Sequence, residues 1–412
     1  MNKPLRAVLL TCVVIVLVVV SFGGGFAAGH FIPLGTATAP LTATNGNQGG
    51  TPSNLTTLFG PFWTAWKLVH QYYVDQPVND TQLMQGAISG MMDSLGDAHT
   101  VYLSPQNYTE ANSQLAGNYA GIGAYVDTSG KLLTITKPMP NSPAEKAGLQ
   151  AGDQIIAVDG KDVTGLIPEA VRQKVLGPEG STVKLTIQRP GQAAPFDVQI
   201  TRATIVVPSV TSKMLANNIA YIQIATFGDT TASDLHKQLA TLMAQNPKGL
   251  ILDLRNNGGG YLDTGIAVAS EFIPSGVVVS EKSGDGKITP HDATPGGLAT
   301  DKSLPMIVLV NAYSASASEI VSGALQDTGR AKLLGVTTYG KGTVQLWLPL
   351  SSNQADNQGA VAVTIARWLT PKGNTIDKKG LTPDIVVPMT ADDIKAGKDP
   401  QLDAAVKQLT NP

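Results

Sequence analysis

The sequence predicts a multidomain α/β protein, in which a helical N-terminal subdomain and a β-rich module precede an α/β core. Three observations carry this. After Val206, apolar runs such as Ile219 to Ile224, Leu250 to Leu254 and Met306 to Val310 alternate with helical patterns, the texture of a layered α/β sheet. Between Ala116 and Thr204 the apolar runs are shorter and separated by Gly, Pro, Asn and Asp, as in a small β domain. Ahead of both, Trp66, Val69 and Tyr73, then Met84, Ile88, Met91, Met92 and Leu95 behind an Asn79-Asp80 cap signal, recur at helical spacing. A chain of 412 residues has room for two or three such units.

Taken in order, residues 1–30 are an address. Lys3 and Arg6 precede an aliphatic run from Ala7 to Phe22, and no further charge appears until well past Gly29. A positive flank before such a run is a secretory signal or a membrane anchor, with the remainder exported. The only cysteine, Cys12, lies inside that run, so no disulfide staples the exported part and no thiol serves there as nucleophile. Residues 31–57, rich in Thr, Gly, Asn, Ala and Pro, read as a flexible linker. The helical subdomain then covers 58–114, the β-rich module 115–204 with one helical insertion from Pro168 to Leu176, the core 205–390, and a helical segment 391–412. A net charge of −2 gives no footprint for nucleic acid, and nothing forbids self-association.

Chemistry concentrates in three stretches of the core. In Asn311 to Ile320, NAYSASASEI, an apolar strand ends and a helix begins. Ser316 with Glu319 fits a capping box, in which the serine only satisfies the first turn. The sharper reading makes Ser316 a nucleophile whose oxyanion forms beside the positive end of that helix. Such a serine needs a base, and none of His30, His70, His99, His236 and His291 stands in a recognisable triad setting. No clustered Cys/His pattern offers metal ligands, so no metal or cofactor is expected.

The second stretch, Gly335 to Gly342, reads GVTTYGKG and comes within one residue of a phosphate-binding loop, with Gly342 where the hydroxyl should be. Lys341 is then a phosphate ligand, a turn lysine, or a lysine neutralised by burial so that it can act as a base. Gly340, Gly342, Val344, Leu346 and Trp347 favour burial, and no acid lies within ten residues. If a strand follows, Thr343 and Gln345 share its face, and the Gln345 amide can orient the amine. The third stretch, Asp253 to Gly260, DLRNNGGG, offers glycine amides for an oxyanion hole, or a tight turn with Asp253 and Arg255 as a structural ion pair.

In the β-rich module, Tyr119-Ala120-Gly121-Ile122-Gly123-Ala124 opens a glycine loop whose amides can hold a terminal carboxylate beside a strand that can take a peptide by edge addition. Arg172, on the inserted helix, either contacts that peptide or a neighbouring domain, or is solvated.

Together DLRNNGGG, NAYSASASEI, YGKGTVQ, and ARWLTPKGNTI followed by KGLTPDI resemble the carboxy-terminal processing, or tail-specific, serine peptidases, from about Phe59 to Val387. Ser142 to Val163, SPAEKAGLQAGDQIIAVDGKDV, resembles the core of a PDZ domain, which that family carries. The resemblance implies a crotonase/ClpP-like peptidase core, a Ser316–Lys341 dyad assisted by Gln345, and an oxyanion hole from the amides of Ala317 and Gly260. It implies peptide-binding by Gly121, Ile122, Gly123 and Ala124, and protein or peptide partners with free C-termini. The expectation is an exported endopeptidase, tethered to the outer face of the membrane or released after signal cleavage. The alternative is a noncatalytic PDZ scaffold on a peptidase fold.

Overall fold

A computed structural model describes residues 52–351 and 357–410. The expected signal or anchor, most of the expected linker, Cys12 and His30 lie outside the described residues. Among the described residues, no helix is long and apolar enough to cross a membrane.

Among the described residues the first α-helices are α1 (Thr56–Tyr72) and α2 (Asp80–Asp93). The Asn79 side chain caps α2, accepting from the Gln82 amide at 3.1 Å, as its sequence signal predicts. Helix α1 buries no residue; its Phe59, Phe62, Trp63 and Trp66 rings pack on one another along the helix. After β1 (Val101–Leu103) comes α3 (Pro105–Leu115), with Pro at its first position and Ser104 as cap.

The β-rich module follows: β2 (Asn118–Gly121), β3 (Ala124–Asp127), β4 (Thr134–Pro138), α4 (Pro143–Lys146), β5 (Gln154–Val158), β6 (Lys161–Asp162), α5 (Pro168–Val175), β7 (Thr182–Gln188), β8 (Phe196–Thr201) and β9 (Ala203–Val206). Strands β3-β4-β5-β7-β8 form one sheet, with β6 paired to β5, while β2 and β9 pair separately. Leu133, Ile135, Ile155, Val183, Leu185 and Ile187 face inward against Val171 and Val175 of α5, an alternation with period two along β7.

The core contains β10 (Val210–Leu215), β11 (Ile219–Ile224), α6 (Thr231–Met243), β12 (Gly249–Asp253), α7 (Leu262–Ser270), β13 (Val277–Ser283), β14 (Ile288–Asp292), β15 (Met306–Val310), α8 (Ala317–Asp327), β16 (Lys332–Gly335), β17 (Thr343–Pro349), β18 (Ala360–Leu369) and β19 (Ile385–Val386), followed by α9 (Ala391–Lys395) and α10 (Pro400–Thr410). One sheet has the order β10-β11-β12-β15-β16-β19, parallel from β11 onward. Every residue of β12 and β15 is buried, because helices cover both faces: Leu250, Leu252 and Val308 meet α6 to α8, and Ile251, Ile307 and Leu309 meet α10. That is why these strands read as unbroken apolar runs.

A second sheet, β1-β18-β13-β14 with β17 also on β18, brings the N-terminal segment into the core. One side of β18 pairs along β17; the other pairs with β1 at Ala360–Ala362 and with β13 at Ala366–Leu369. Residues 363–365 lie between those two pairings, and the Thr364 amide is satisfied there by the Thr100 hydroxyl at 3.1 Å.

Candidate active site

Ser316 sits where β15 hands over to α8. The loop between them is stitched to the glycine loop after β12: Ser314 Oγ donates to the Leu254 carbonyl, Ser318 Oγ to the Asn257 carbonyl, and the Ala315 amide to the same Asn257 oxygen (2.8, 2.8 and 3.0 Å). The Asn256 and Asn311 side chains bond to each other at 2.8 Å. The two loops are thereby held as one body.

Ser316 has φ 54° and ψ −120°, a conformation that non-glycine residues rarely adopt and that clusters at functional turns. Nothing in NAYSASASEI signals that strain. The Glu319 half of the expected capping box forms, with the Ser316 amide donating to Glu319 Oε2 at 3.0 Å.

The two expected oxyanion donors line one small pocket with Ser316, together with Leu262, Ile320, Gln345 and Trp368. Ala317 is the first residue of α8, so its amide has no acceptor within the helix. Among the glycines, Gly259 donates its amide to Asn257 Oδ1 at 2.9 Å, and Gly260 is the one that lines the pocket. Gly260 has φ 150°, and a Cβ there would lie 2.2 Å from the Phe227 carbonyl oxygen. Only glycine fits.

Lys341 is 1% exposed. Burial pushes its amine down to about 7, against the opposing charges of Glu319 and Asp97. The sequence shows no acid within ten residues, yet in space two carboxylates face this lysine; desolvation outweighs them. Its backbone is clamped at both ends, the amide donating to Glu319 Oε2 at 2.9 Å and the carbonyl accepting from the Trp368 indole at 2.9 Å.

Glu319 and Trp368 are the functional residues that sequence reasoning missed in these roles. Glu319 Oε2 accepts from the amides of both Ser316 and Lys341; Oε1 accepts from the Gly340 amide at 2.7 Å and the Thr338 hydroxyl at 2.6 Å. Burial raises its carboxyl above the ordinary range, and these four donors oppose that rise. They also account for the near-Walker pattern. The loop amides already close on the Glu319 carboxyl group, so no amide of Gly340 or Lys341 remains for a phosphate. The phosphate-loop reading fails on this geometry. Glu319→Gln, with one acceptor oxygen for four donors, is expected to lower unfolding stability by roughly 2 kcal/mol or more and to remove activity. An unchanged urea midpoint would dismiss the clamp.

Gln345 lies on β17 with Thr343, whose hydroxyl it meets at 2.8 Å, and its other amide hydrogen reaches Thr364 Oγ1 at 3.0 Å. Asp253 and Arg255 form the structural ion pair allowed by the sequence, extended to Asp399 at 2.8 Å. His70 pairs with Asp80, His236 with Glu271 and His291 with Glu281 (all 2.7 Å). His99 instead lies close enough to Lys341 for that charge to depress it, after burial as the larger cause.

In the β-rich module, Gly121 packs under Tyr119 and Leu176, and Gly123 has φ 74° with no room for a Cβ beside Ser142 and Ile205. Ile122 is buried, and Ala124 opens β3, an edge strand of its sheet. Arg172 bonds Glu169 on its own helix and Glu110 on α3 (2.6 and 2.5 Å), which ties the module to a neighbouring segment.

A strained serine followed by the Ala317 amide, for which the helix offers no acceptor, can support acyl transfer, and serine-type peptidase is the class that the comparisons with known proteins return. Residues 218–387 match peptidase family S41, residues 134–189 match a PDZ domain, and residues 19–107 match the N-terminal domain of the activating protease CtpB. The chain is 37% identical over 368 residues to a carboxy-terminal-processing protease of Bartonella bacilliformis, covering 88% of this chain and 81% of that one. It is 35% identical to a carboxyl-terminal-processing protease of Synechocystis sp., covering 84% and 81%. A Bacteroides fragilis protein described as an S41 protease shares the fold at a TM-score of 0.54 and 17% identity, over 84% of this chain and 96% of that one. This chain belongs to the carboxy-terminal processing serine peptidases of family S41, with a PDZ domain ahead of the peptidase core.

Proposed function

We propose that the protein is an exported endopeptidase that captures unstructured C-termini on its PDZ domain and cleaves with a Ser316–Lys341 dyad. The observation that carries this reading is a fully buried lysine, its amine pushed down to about 7 by burial, whose backbone amide shares one Glu319 oxygen with the amide of the strained serine. Neutral Lys341 takes the Ser316 proton, and Ser316 attacks the scissile carbonyl. The amides of Ala317 and Gly260 stabilise the tetrahedral oxyanion. Lys341 passes the proton to the leaving amine, and the acyl-enzyme is hydrolysed by a water that Lys341 activates. Gln345 orients the amine.

The edge strand β3 and the glycine turn at Gly121–Gly123 support peptide addition with the terminal carboxylate at the loop. A cavity of about 850 Å³ lies between α5, α3 and the core, reaching Thr226 and Asn256, and gives an extended chain room near the glycine loop. The positive flank and aliphatic run within residues 1–30 support export, by anchor or by cleaved signal.

The test uses the full chain, an unstructured polypeptide with a free C-terminus, and a serine-reactive fluorophosphonate. Cleavage and labelling mapped to Ser316 are expected; a substrate cleaved with no label at Ser316 overturns the nucleophile. Amidating the substrate's C-terminus is expected to lower kcat/KM about 10-fold, since charge-assisted bonds to loop amides are lost. Equal rates for acid and amide would remove carboxylate recognition and leave the dyad intact.

A further inference from the structure

Ahead of β1, the turn Asp97–Thr100 reaches the peptidase site from the N-terminal segment. It fills the stretch of β18 that neither β1 nor β13 covers. Its hydrogen bonds have a defined direction. Asp97 Oδ1 accepts from the His99 amide at 3.1 Å, and Oδ2 accepts from the Thr100 hydroxyl at 2.7 Å. The Thr364 side chain also helps to depress that carboxyl. Thr100 Oγ1 in turn accepts from the Thr364 amide at 3.1 Å.

A hydroxyl has one proton. That of Thr100 is committed to Asp97, so Thr100 Oγ1 is left to accept from the Thr364 amide, and Thr364 Oγ1 in turn accepts from the Gln345 amide nitrogen at 3.0 Å. The second amide hydrogen goes to Thr343 Oγ1 at 2.8 Å. Both amide hydrogens of Gln345 are thereby used, which leaves its carbonyl oxygen free of these two threonines, and the residue lines the pocket with Ser316. A carbonyl oxygen on that side is an acceptor for a lysine amine, whereas a flipped amide would present N–H to N–H.

We propose that Asp97 is a positioning residue for catalysis, which acts through the Thr364 hydroxyl to fix the Gln345 amide with its carbonyl oxygen toward the site. The relay rests on the serine–lysine reading above. It makes the N-terminal segment part of the active site, since the terminal acceptor precedes the core by more than a hundred residues. The surroundings keep that acceptor ionised: burial pushes the Asp97 carboxyl up, and the hydroxyls of Thr364 and Thr100 with the His99 amide more than offset it, leaving it below the ordinary carboxylate range.

Two variants separate positioning from charge. Asp97→Asn offers one acceptor oxygen to three donors and also removes a negative charge, whereas Thr364→Val removes only the relay hydroxyl. The charged groups around Lys341 are Glu319, Asp97 and His99, with Asp377 and Lys378 acting on His99. Only Asp97 is neutralised by the first variant.

The experiment measures kcat and KM against pH for the full chain, with Thr364→Ser, the double variant Asp97→Asn/Thr364→Val, and Ser316→Ala alongside. Each single variant is expected to lower the plateau kcat roughly 10- to 100-fold with KM within about twofold of wild type, as misaligned groups do. Thr364→Ser retains near-wild-type kcat, and the double variant loses no more than the worse single one. The midpoint of the pH profile moves to lower pH in Asp97→Asn and stays in place in Thr364→Val. If Asp97→Asn does not fold, the contrast of Thr364→Val with Thr364→Ser decides. Wild-type kcat in Thr364→Val, or additive losses in the double variant, overturns the relay while an inactive Ser316→Ala leaves the dyad standing. Cleavage by Ser316→Ala overturns the dyad, and the relay with it.

Discussion

Ser316→Ala and Lys341→Met are each expected to lower kcat/KM by roughly 10⁴-fold or more, and the double variant no further, because in the proposed dyad the two side chains act in one proton-transfer unit. The competing view assigns Ser316 only to capping α8. A lost N-cap costs about 0.5–2 kcal/mol, visible as a lower melting temperature with activity preserved. The two views therefore differ in which measurement moves. The Glu319 half of the box survives in Ser316→Ala because it uses the Ser316 amide, not the hydroxyl. A folded, inactive Ser316→Ala is the expected result; an active one with a depressed melting temperature would sink the nucleophile. Methionine at 341 keeps the volume of the buried stem without an amine, so a loss of activity there cannot be charged to a cavity.

The contrast between what the sequence showed and what it hid has a physical basis. The strand-to-helix junction at Ser316, the cap at Asn79 and the glycine run at Gly258–Gly260 were legible because each depends on neighbours within a few residues. Lys341 was legible as buried for the same reason, since glycines and apolar residues flank it. Its electrostatic surroundings were not. Glu319 meets Lys341 across the α8 N-terminus, and Asp97 meets it from a turn before β1, so the acid-free neighbourhood in sequence is not acid-free in space. Gln345 faces Thr364 because the pairing of β17 with β18 shifts register between Val344 and Gln345, and a one-residue slip of this kind decides which side chains meet. Trp368 was quoted within a motif, but its bond to the Lys341 carbonyl depends on that same pairing. In α1 the apolar spacing that marks a helix does not mark a buried one: Trp66 and Val69 lie on a helix with no buried residue, and Tyr73 falls just past its end.

The pH dependence of Lys341 has consequences for activity and stability that must agree in sign. In the proposed dyad only the neutral amine accepts the serine proton, so kcat/KM is expected to rise through an apparent pKa of about 7 and then level off. Lys341→Arg should be inactive at every pH, because a guanidinium stays protonated. The stability side follows from linkage. The folded-state pKa of about 7 lies below the ordinary lysine value of 10.5, so between these pH values the unfolded chain holds a proton that the folded chain does not. Stability therefore rises with pH across that window. The cost of burying the amine, several kcal/mol at 1.36 per pH unit, is fully present below pH 7 and gone above about 10.5. Lys341→Met carries no such cost, so it should be more stable than wild type near neutral pH, and the gap between their urea midpoints should close as pH approaches 10. A gap that is constant with pH, or an activity profile still climbing at pH 10, would mean that Lys341 keeps an ordinary pKa in the folded protein, and a charged lysine at that position could not serve as the base.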